Sequence, residues 1–468
     1  MANFASHVSQ MFGIPLPNKV TIPGDPLNPI MSRSLMDYDI PIQRNENLVQ
    51  ASRAMEVLLK LGNVNAPLWN RNIQGGGETL NFVEYERAFP PILGTKPPGF
   101  VSEATRARSV VPMTSSTLIE ALLNADQWRE MFIGMIGSCT TMEVISNGTG
   151  GSRNGALQLM KAEIQLISPL VPVRGLKFIR FAKQQAQGQW IVVDLSIDSG
   201  IEGHMTRRCP SGYAKWFHHG IAYVYKIICV TWIEHTEYDV QSVSHQYRQL
   251  INSGVGFGAQ RWISALLRHC ESITAIMSPT LNHHLLQDTK RSLRGLAQRM
   301  MSIFCGGVCL TDGQQWDLVA DHAPRRPRIM SHNYISGFGE PMGIVTSATY
   351  SVSPTPERTT EDDQVMVLQE TISDMTGSLI VYATVDFPTV SVVMNGEDIS
   401  SVALLQSGLS IVPGYGEDGA GGERGSMVTV GLQLLHPDIT TSNMITMETI
   451  IMINDLVART VRGIKEIV

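Results

Sequence analysis

Two charged residues stand inside apolar runs, where a charge is costly to bury. Glu163 lies within the apolar segment 156–167, and Arg180 lies between Ile179 and Phe181. Because an isolated buried charge is strongly unfavourable, buried charges in proteins are normally paired. A Glu163–Arg180 pair that faced an apolar cavity would hold the polar end of a lipid. The alternative interpretation places both side chains on the solvated face of a sheet.

The other chemistry-bearing motifs do not assemble into a catalytic or metal site. The glycine-rich run 148–155 lacks the Gly-Lys-Ser/Thr ending of a phosphate loop and precedes a strand-like segment, so it predicts a tight turn. The paired histidines at 218–219 and 283–284 lack the spacing of a zinc-binding helix. Cys305 and Cys309 have no second cysteine pair to complete a zinc site, which predicts buried free thiols. We therefore expect no enzyme activity, no metal and no cofactor.

Composition narrows the class of protein. The 468 residues are 43% hydrophobic and 17% charged, which suits two or three folded domains and excludes a disordered chain. Six cysteines are too few for a disulfide framework. The net charge of −6 is opposite to the basic excess of a typical nucleic-acid-binding protein. No apolar run reaches the ~20 residues that span a bilayer, and we expect no transmembrane segment or signal peptide.

The hydrophobic pattern predicts helices followed by antiparallel strands and one long amphipathic helix. That helix, over 258–277, carries Trp262 and Leu266 on one apolar stripe. Residues 1–40, rich in proline, are predicted to be a linker or arm. The other predicted helices cover 47–61, 81–88 and 114–132, and the predicted strands cover 176–184, 190–197 and 229–237, while 156–167 fits either element.

A second unit of similar plan is predicted to follow. A helix over 292–304 precedes several strand-like segments and a closing helix. The predicted strands cover 343–352, 364–373, 378–385, 402–412 and 426–435, and the closing helix covers 444–468. The fold class is therefore α+β, with an arm at 1–40 and domains at 41–284 and 285–468.

Several long segments resemble one known family. They cover 155–174, 190–198, 230–239 and 253–262 in the first domain, and 368–371, 377–383 and 393–396 in the second. They resemble the lipid-binding START domain of plant class IV homeodomain–leucine zipper transcription factors and the region adjacent to it. The resemblance implies a helix-grip fold, in which a curved antiparallel sheet wraps a long C-terminal helix around a tunnel. It also implies a lipid or sterol ligand, and control of transcription in the nucleus.

The resemblance also indicates which residues would line the tunnel. Residues 176–183 look like the strand of animal sterol-carrying START proteins that bears a tunnel arginine, here Arg180, and Glu163 falls roughly where their tunnel acid lies. The expected lipid-binding set is Glu163, Arg180, Leu159, Phe178, Trp190, Trp262 and Leu266.

The chain departs from the family in three places. It has no homeodomain or zipper pattern, so direct DNA binding is not expected. Residues 216–229 resemble an insertion, such as an unspliced intron, and several dozen family residues are missing near 356–364, which predicts an unpaired sheet edge. We expect a lipid-binding regulatory protein whose partners include full-length family members or other transcription regulators. Two alternatives stay open: a DNA-binding factor whose homeodomain is missing only from this gene model, and a cytoplasmic lipid-transfer protein.

Overall fold

The computed structural model covers most of the chain. It describes residues 40–71, 77–89, 96, 98–186, 188–197, 207–208, 213–219, 227–277, 283–309, 317–320, 329–331, 365–396, 399–415, 425–433, 451, 455 and 459. The predicted arm before residue 40, the predicted strand 343–352, the region 356–364 and nearly all of the predicted closing helix lie outside these residues.

One antiparallel sheet of ten strands forms the body of the first domain. Its order is β1-β2-β3-β10-β9-β7-β6-β5-β4, and β8 pairs with β10. The ambiguous segment 156–167 therefore contains a strand, β5. The strands are β1 (Trp69–Arg71), β2 (Glu78–Leu80), β3 (Phe100–Val111), β4 (Ile136–Asn147), β5 (Ala156–Ile164), β6 (Arg174–Ala186), β7 (Gln189–Ser196), β8 (Arg207–Arg208), β9 (Tyr213–His219) and β10 (Ile228–Asp239).

Helices cover both faces of this sheet. The long helix α6 packs on β3 and β10, and we call the sheet face toward it the inner face; α1 packs on the opposite, outer face against β6 and β7. The helices are α1 (Ile40–Asn63), α2 (Phe82–Ala88), α3 (Ser115–Leu123), α4 (Ala125–Met131), α5 (His245–Asn252) and α6 (Ala259–Met277). The predicted helix 258–277 thus matches α6, and the fold is the expected α+β helix-grip arrangement.

Polar side chains fix where these helices begin. The predicted helix 114–132 is two helices, because the Asn124 side chain accepts a hydrogen bond from Gln127 N and starts α4. The first turn of α6 is capped from the sheet, since Ala259 N donates to Thr105 Oγ1 at 2.8 Å. A Cβ at Gly258 would lie 2.0 Å from the Gly254 carbonyl oxygen, so only glycine fits at this entry.

The second region contains its own helix and sheet. Helix α7 (His283–Cys309) packs on a four-stranded antiparallel sheet of order β13-β14-β15-β16, and α8 (Phe387–Met394) lies beside it. The strands are β13 (Val365–Asp374), β14 (Gly377–Asp386), β15 (Gln406–Pro413) and β16 (Ser426–Gly431), and a separate pair is β11 (Asp317–Ala320) with β12 (Ile329–Ser331). The predicted helix and four of the predicted strands are present here.

The two regions are in contact through α6 and α7. Arg268 on α6 forms an ion pair with Asp374 at the end of β13. The Cys309 thiol donates to the Leu166 carbonyl oxygen, and Cys305 and Cys309 are free and buried, as predicted. Burial raises the pKa of Cys309 to about 12, so this thiol stays protonated.

The segment compared with an insertion is partly regular structure. Strand β9 (Tyr213–His219) pairs with both β7 and β10, so residues 216–219 belong to the sheet. In the part of the chain that the structure describes, no helix is long and apolar enough to cross a membrane.

Candidate functional site

A buried ion pair lies on the inner face of the first domain. Arg180 Nε donates to Asp194 Oδ1 at 2.7 Å, and its Nη2 donates to Oδ2 at 2.5 Å. Both side chains are essentially inaccessible, and Arg180 also donates to the Leu122 carbonyl oxygen. This bidentate geometry neutralises the arginine inside an apolar region.

Aromatic rings surround this pair. The Arg180 guanidinium lies 3.9 Å from the ring centre of Trp128 and 5.3 Å from that of Phe178. Trp262 on α6 stacks on Trp232 with ring centres 5.1 Å apart and on Trp128 at 6.3 Å. The space between the sheet and α6 is therefore filled by flat aromatic rings around the Arg180–Asp194 pair.

The polar groups form a strip across three neighbouring strands. Gln158 on β5 lies directly opposite Arg180 on β6, which lies directly opposite Asp194 on β7. Side chains that lie opposite each other in an antiparallel ladder project from the same face, so all three belong to the inner face. We call Gln158, Arg180 and Asp194 the polar strip.

A second buried cation lies at the start of β6. Arg174 is 3.6 Å from a carboxylate oxygen of Glu103. Its guanidinium lies 4.2 Å from the ring centre of Tyr238 and 3.7 Å from that of Phe257. Burial raises the pKa of the Tyr238 hydroxyl, which stays protonated and donates to Asn252. The inner face thus carries two charge-balanced groups, one at the start of β6 and one in its middle.

The predicted Glu163–Arg180 pair is wrong. Glu163 lies opposite Gly175 and accepts a hydrogen bond from Ser138 at 2.7 Å. Its register position is five residues from Gln158, the residue opposite Arg180, or roughly 17 Å along the strand at ~3.4 Å per residue. Odd-numbered residues of β5 belong to the outer face, so Glu163 also projects from the opposite side of the sheet.

Leu159 is a second correction. It packs in the outer core with α1, beside Leu157 and Ile179, and not between the sheet and α6. A strand alternates its side chains between faces, so a residue one position from Gln158 or Met160 cannot share their face. Leu159 is therefore removed from the residues that face the interior.

The other predicted residues do meet in the interior. Phe178, Trp190, Trp262 and Leu266 all belong to the inner core between the sheet and α6, and Arg180 lies among them. The structure thus brings together five of the seven predicted residues.

Asp194 and Trp128 were missed by the sequence reasoning. Strand β6 ends at Ala186 and β7 begins at Gln189, and residues equally distant in sequence from position 187 pair across the two strands. Arg180 and Asp194 are each seven positions from position 187, so the register of the two strands was sufficient to predict that they pair. Trp128 had no comparable signal beyond its place on the apolar side of a predicted helix.

The interior between the sheet and α6 is apolar except for the polar strip, whose charges on Arg180 and Asp194 balance. Among the residues that the structure describes here, no nucleophile lies beside a base, and the polar groups are set among apolar rings.

Comparison with known families agrees with this geometry. The START domain profile matches residues 50–272, which contain the sheet and α6. The profile for the PDF2-like, C-terminal domain matches residues 286–356 and 352–468, so the two matched pieces meet beside the region 356–364, near which missing family residues were expected. The fold and these matches define a START-domain protein with a PDF2-like C-terminal domain.

Curated plant proteins are similar over nearly the whole chain. Homeobox-leucine zipper protein HDG1 of Arabidopsis thaliana is 37% identical, over 92% of this chain and 61% of its own length. ANTHOCYANINLESS 2 of the same plant is 37% identical, over 90% and 60%, and HDG11 is 30% identical, over 92% and 67%. The chain belongs to the class IV homeodomain–leucine zipper family, and it spans about three fifths of the length of its first two relatives.

Among solved structures, human StAR-related lipid transfer protein 5 is similar at 10% identity and a TM-score of 0.36, over 49% of this chain and 99% of that one.

Proposed function

We propose that this protein binds a lipid or sterol between the inner face of its sheet and α6, and that it modulates transcription in the nucleus. The observation that carries the proposal is the START domain match over the region whose interior holds the polar strip. The family relatives are homeobox proteins, which supports a regulatory role rather than simple lipid transfer.

The ligand contacts follow from the inner face. Phe178, Trp190, Trp262 and Leu266 would pack against the apolar body of the lipid, and Arg180, paired with Asp194, would lie at its polar end. Because stacked aromatic rings fill this volume, binding requires that some of them move apart. The energy of that rearrangement is offset by the apolar area that the lipid buries.

The regulatory partners are proposed to be full-length family members or other transcription regulators. The chain's net charge of −6 supports an action through such partners rather than through direct DNA contact. In this mechanism, lipid occupancy changes the packing of α6, and the contact between Arg268 and Asp374 carries that change to the C-terminal region.

The lipid half of the proposal is tested by mass spectrometry. The full chain is purified from plant cells, extracted with organic solvent, and compared with a mock purification. We expect one lipid class at close to one molecule per chain. An extract that matches the mock purification, from protein that is folded by circular dichroism, would contradict lipid binding.

The nuclear half is tested separately, with a fluorescent fusion in plant cells and a reporter gene driven by a family target promoter. We expect nuclear fluorescence and a reporter response that changes when the chain is supplied. Exclusion from the nucleus would favour the cytoplasmic lipid-transfer alternative.

A further inference from the structure

The polar strip contains one group whose hydrogen-bonding capacity is not met. Gln158 is 6% exposed, and its amide oxygen Oε1 has no hydrogen-bond partner in the structure described. A buried amide oxygen without a donor costs free energy that folding alone does not recover. Gln158 belongs to the inner face, and its register partner on β6 is Arg180.

The charge of the strip is already balanced. Asp194 accepts two hydrogen bonds from Arg180 across a pair that is inaccessible to solvent. An anionic head group would bring a second negative charge beside Asp194, without water to screen it. The strip is therefore unsuited to carboxylate, phosphate or sulfate ends.

The unused donors of Arg180 and the unpaired acceptor of Gln158 determine which polar end of a ligand fits the polar strip. Arg180 has five N–H donors, of which three are used by Asp194 and the Leu122 carbonyl. Gln158 offers an unmet acceptor beside it. An alcohol can donate to Gln158 Oε1 and accept from Arg180 at the same time, whereas a ketone can only accept.

We propose that Gln158 makes the interior selective for lipids whose buried end carries a neutral hydroxyl group. The inference rests on the proposed lipid-binding function and adds its specificity. Gln158 acts as the acceptor that the hydroxyl satisfies, and the Arg180–Asp194 pair excludes anions.

The test measures which lipids the full chain retains from mixed vesicles. Phosphatidylcholine vesicles carry two matched sets: cholesterol with cholest-4-en-3-one and cholesteryl sulfate, and octadecan-1-ol with its methyl ether and octadecanoate. Protein is re-isolated, and the retained lipids are quantified by mass spectrometry relative to the vesicle composition. Within at least one set, the alcohol should be enriched about tenfold over both analogues, because the loss of one hydrogen bond worth ~1.4 kcal/mol lowers affinity about tenfold.

Gln158→Met removes the acceptor while it keeps the shape of the side chain. The variant should retain an alcohol and its uncharged analogue about equally. Its melting temperature without lipid should equal or exceed that of the wild type, because an unmet buried acceptor has been removed. Gln127→Met, at an exposed position on α4, is the matched control and should keep the wild-type preference.

The outcomes separate this inference from the function on which it rests. Retention of lipids with no preference for the alcohol, or a preference for an anion, would overturn the role of Gln158 and leave lipid binding in place. A Gln158→Met variant that keeps the full alcohol preference would overturn it as well. Retention of no lipid from either set would overturn the proposed function and this inference together.

Discussion

Replacing Arg180 by leucine should be among the most destabilising single changes in the first domain. Arg180 and Asp194 are 0% and 1% exposed, so the change leaves a buried carboxylate without its cation. Breaking one partner of a buried pair typically costs ~3–5 kcal/mol. The stacking on Trp128 at 3.9 Å and the hydrogen bond to the Leu122 carbonyl are lost as well. We therefore expect a loss of unfolding free energy of about 4 kcal/mol.

The double change Arg180→Leu with Asp194→Leu should recover most of that loss. When both partners of a buried ion pair become apolar, stability is often unchanged or improved. Arg180→Leu combined with Glu163→Gln should recover nothing, because Glu163 projects from the other face and bonds to Ser138. The two double variants thus distinguish the observed pair from the pair that the sequence suggested.

The measurement is the urea dependence of tryptophan fluorescence and circular dichroism for the full chain. The matched control is Arg153→Leu, which removes a surface ion pair with Glu120 whose side chains are 35% and 51% exposed, and it should cost no more than ~1 kcal/mol. If Arg180→Leu costs no more than Arg153→Leu, or if Glu163→Gln restores stability, the assignment of the polar strip is refuted.

Four other changes test separate parts of the structure. Leu266→Ala should lower the unfolding free energy by ~2–5 kcal/mol because Leu266 is fully buried on α6, whereas the exposed Val83→Ala should be nearly neutral by the same urea titration. Gly258→Ala should prevent proper folding, since its Cβ would lie 2.0 Å from a carbonyl oxygen, while Gly306→Ala, with open space, should be neutral or stabilising by circular dichroism. Burial lowers the pKa of His235 to about 3, whereas the unfolded chain binds a proton at this histidine near pH ~6.5. The unfolding free energy should therefore fall as the pH drops below ~6.5, by up to ~1.4 kcal/mol per pH unit. His235→Phe should flatten this dependence in thermal melts between pH 7 and 4. The chain should bind duplex DNA only weakly and with steep salt dependence, and sequence-selective nanomolar binding in a gel-shift assay would contradict that expectation.

The elements of the fold followed closely from local patterns in the sequence. Helix α6 was predicted over 258–277 and begins at Ala259, because its apolar stripe repeats with helical spacing over five turns. The strands predicted over 176–184 and 190–197 from their β-branched and aromatic residues correspond to β6 and β7. Where a polar cap intervened, as at Asn124, the helix pattern alone did not show the break.

The candidate site was predictable only in part. Side chains alternate along β6, so Arg180 shares a face with Phe178, and the structure places both on the inner face, whereas Glu163 and Leu159 on β5 lie on the outer face. The partner of Arg180 depends on the register between strands, which hydrophobic periodicity does not report. The spacing of β6 and β7 contained that information for Asp194. Glu163 was paired with Arg180 because both charges lie in apolar runs, and the family resemblance supported the same pair. The stacking of Trp128 on Trp262 joins residues more than 130 positions apart and had no sequence signal.

The central claim, that a lipid occupies the interior between the sheet and α6, is tested most directly by photoaffinity labelling. The full chain is incubated with vesicles that contain a sterol or long-chain alcohol with a diazirine in its apolar part, and the labelled peptides are sequenced. We expect labels on inner-face residues such as Met160, Phe178 and Trp262, and their loss when unlabelled alcohol is added in excess. Labels confined to outer-face residues such as Leu159 and Ile179, or labels that excess alcohol does not displace, would contradict the claim.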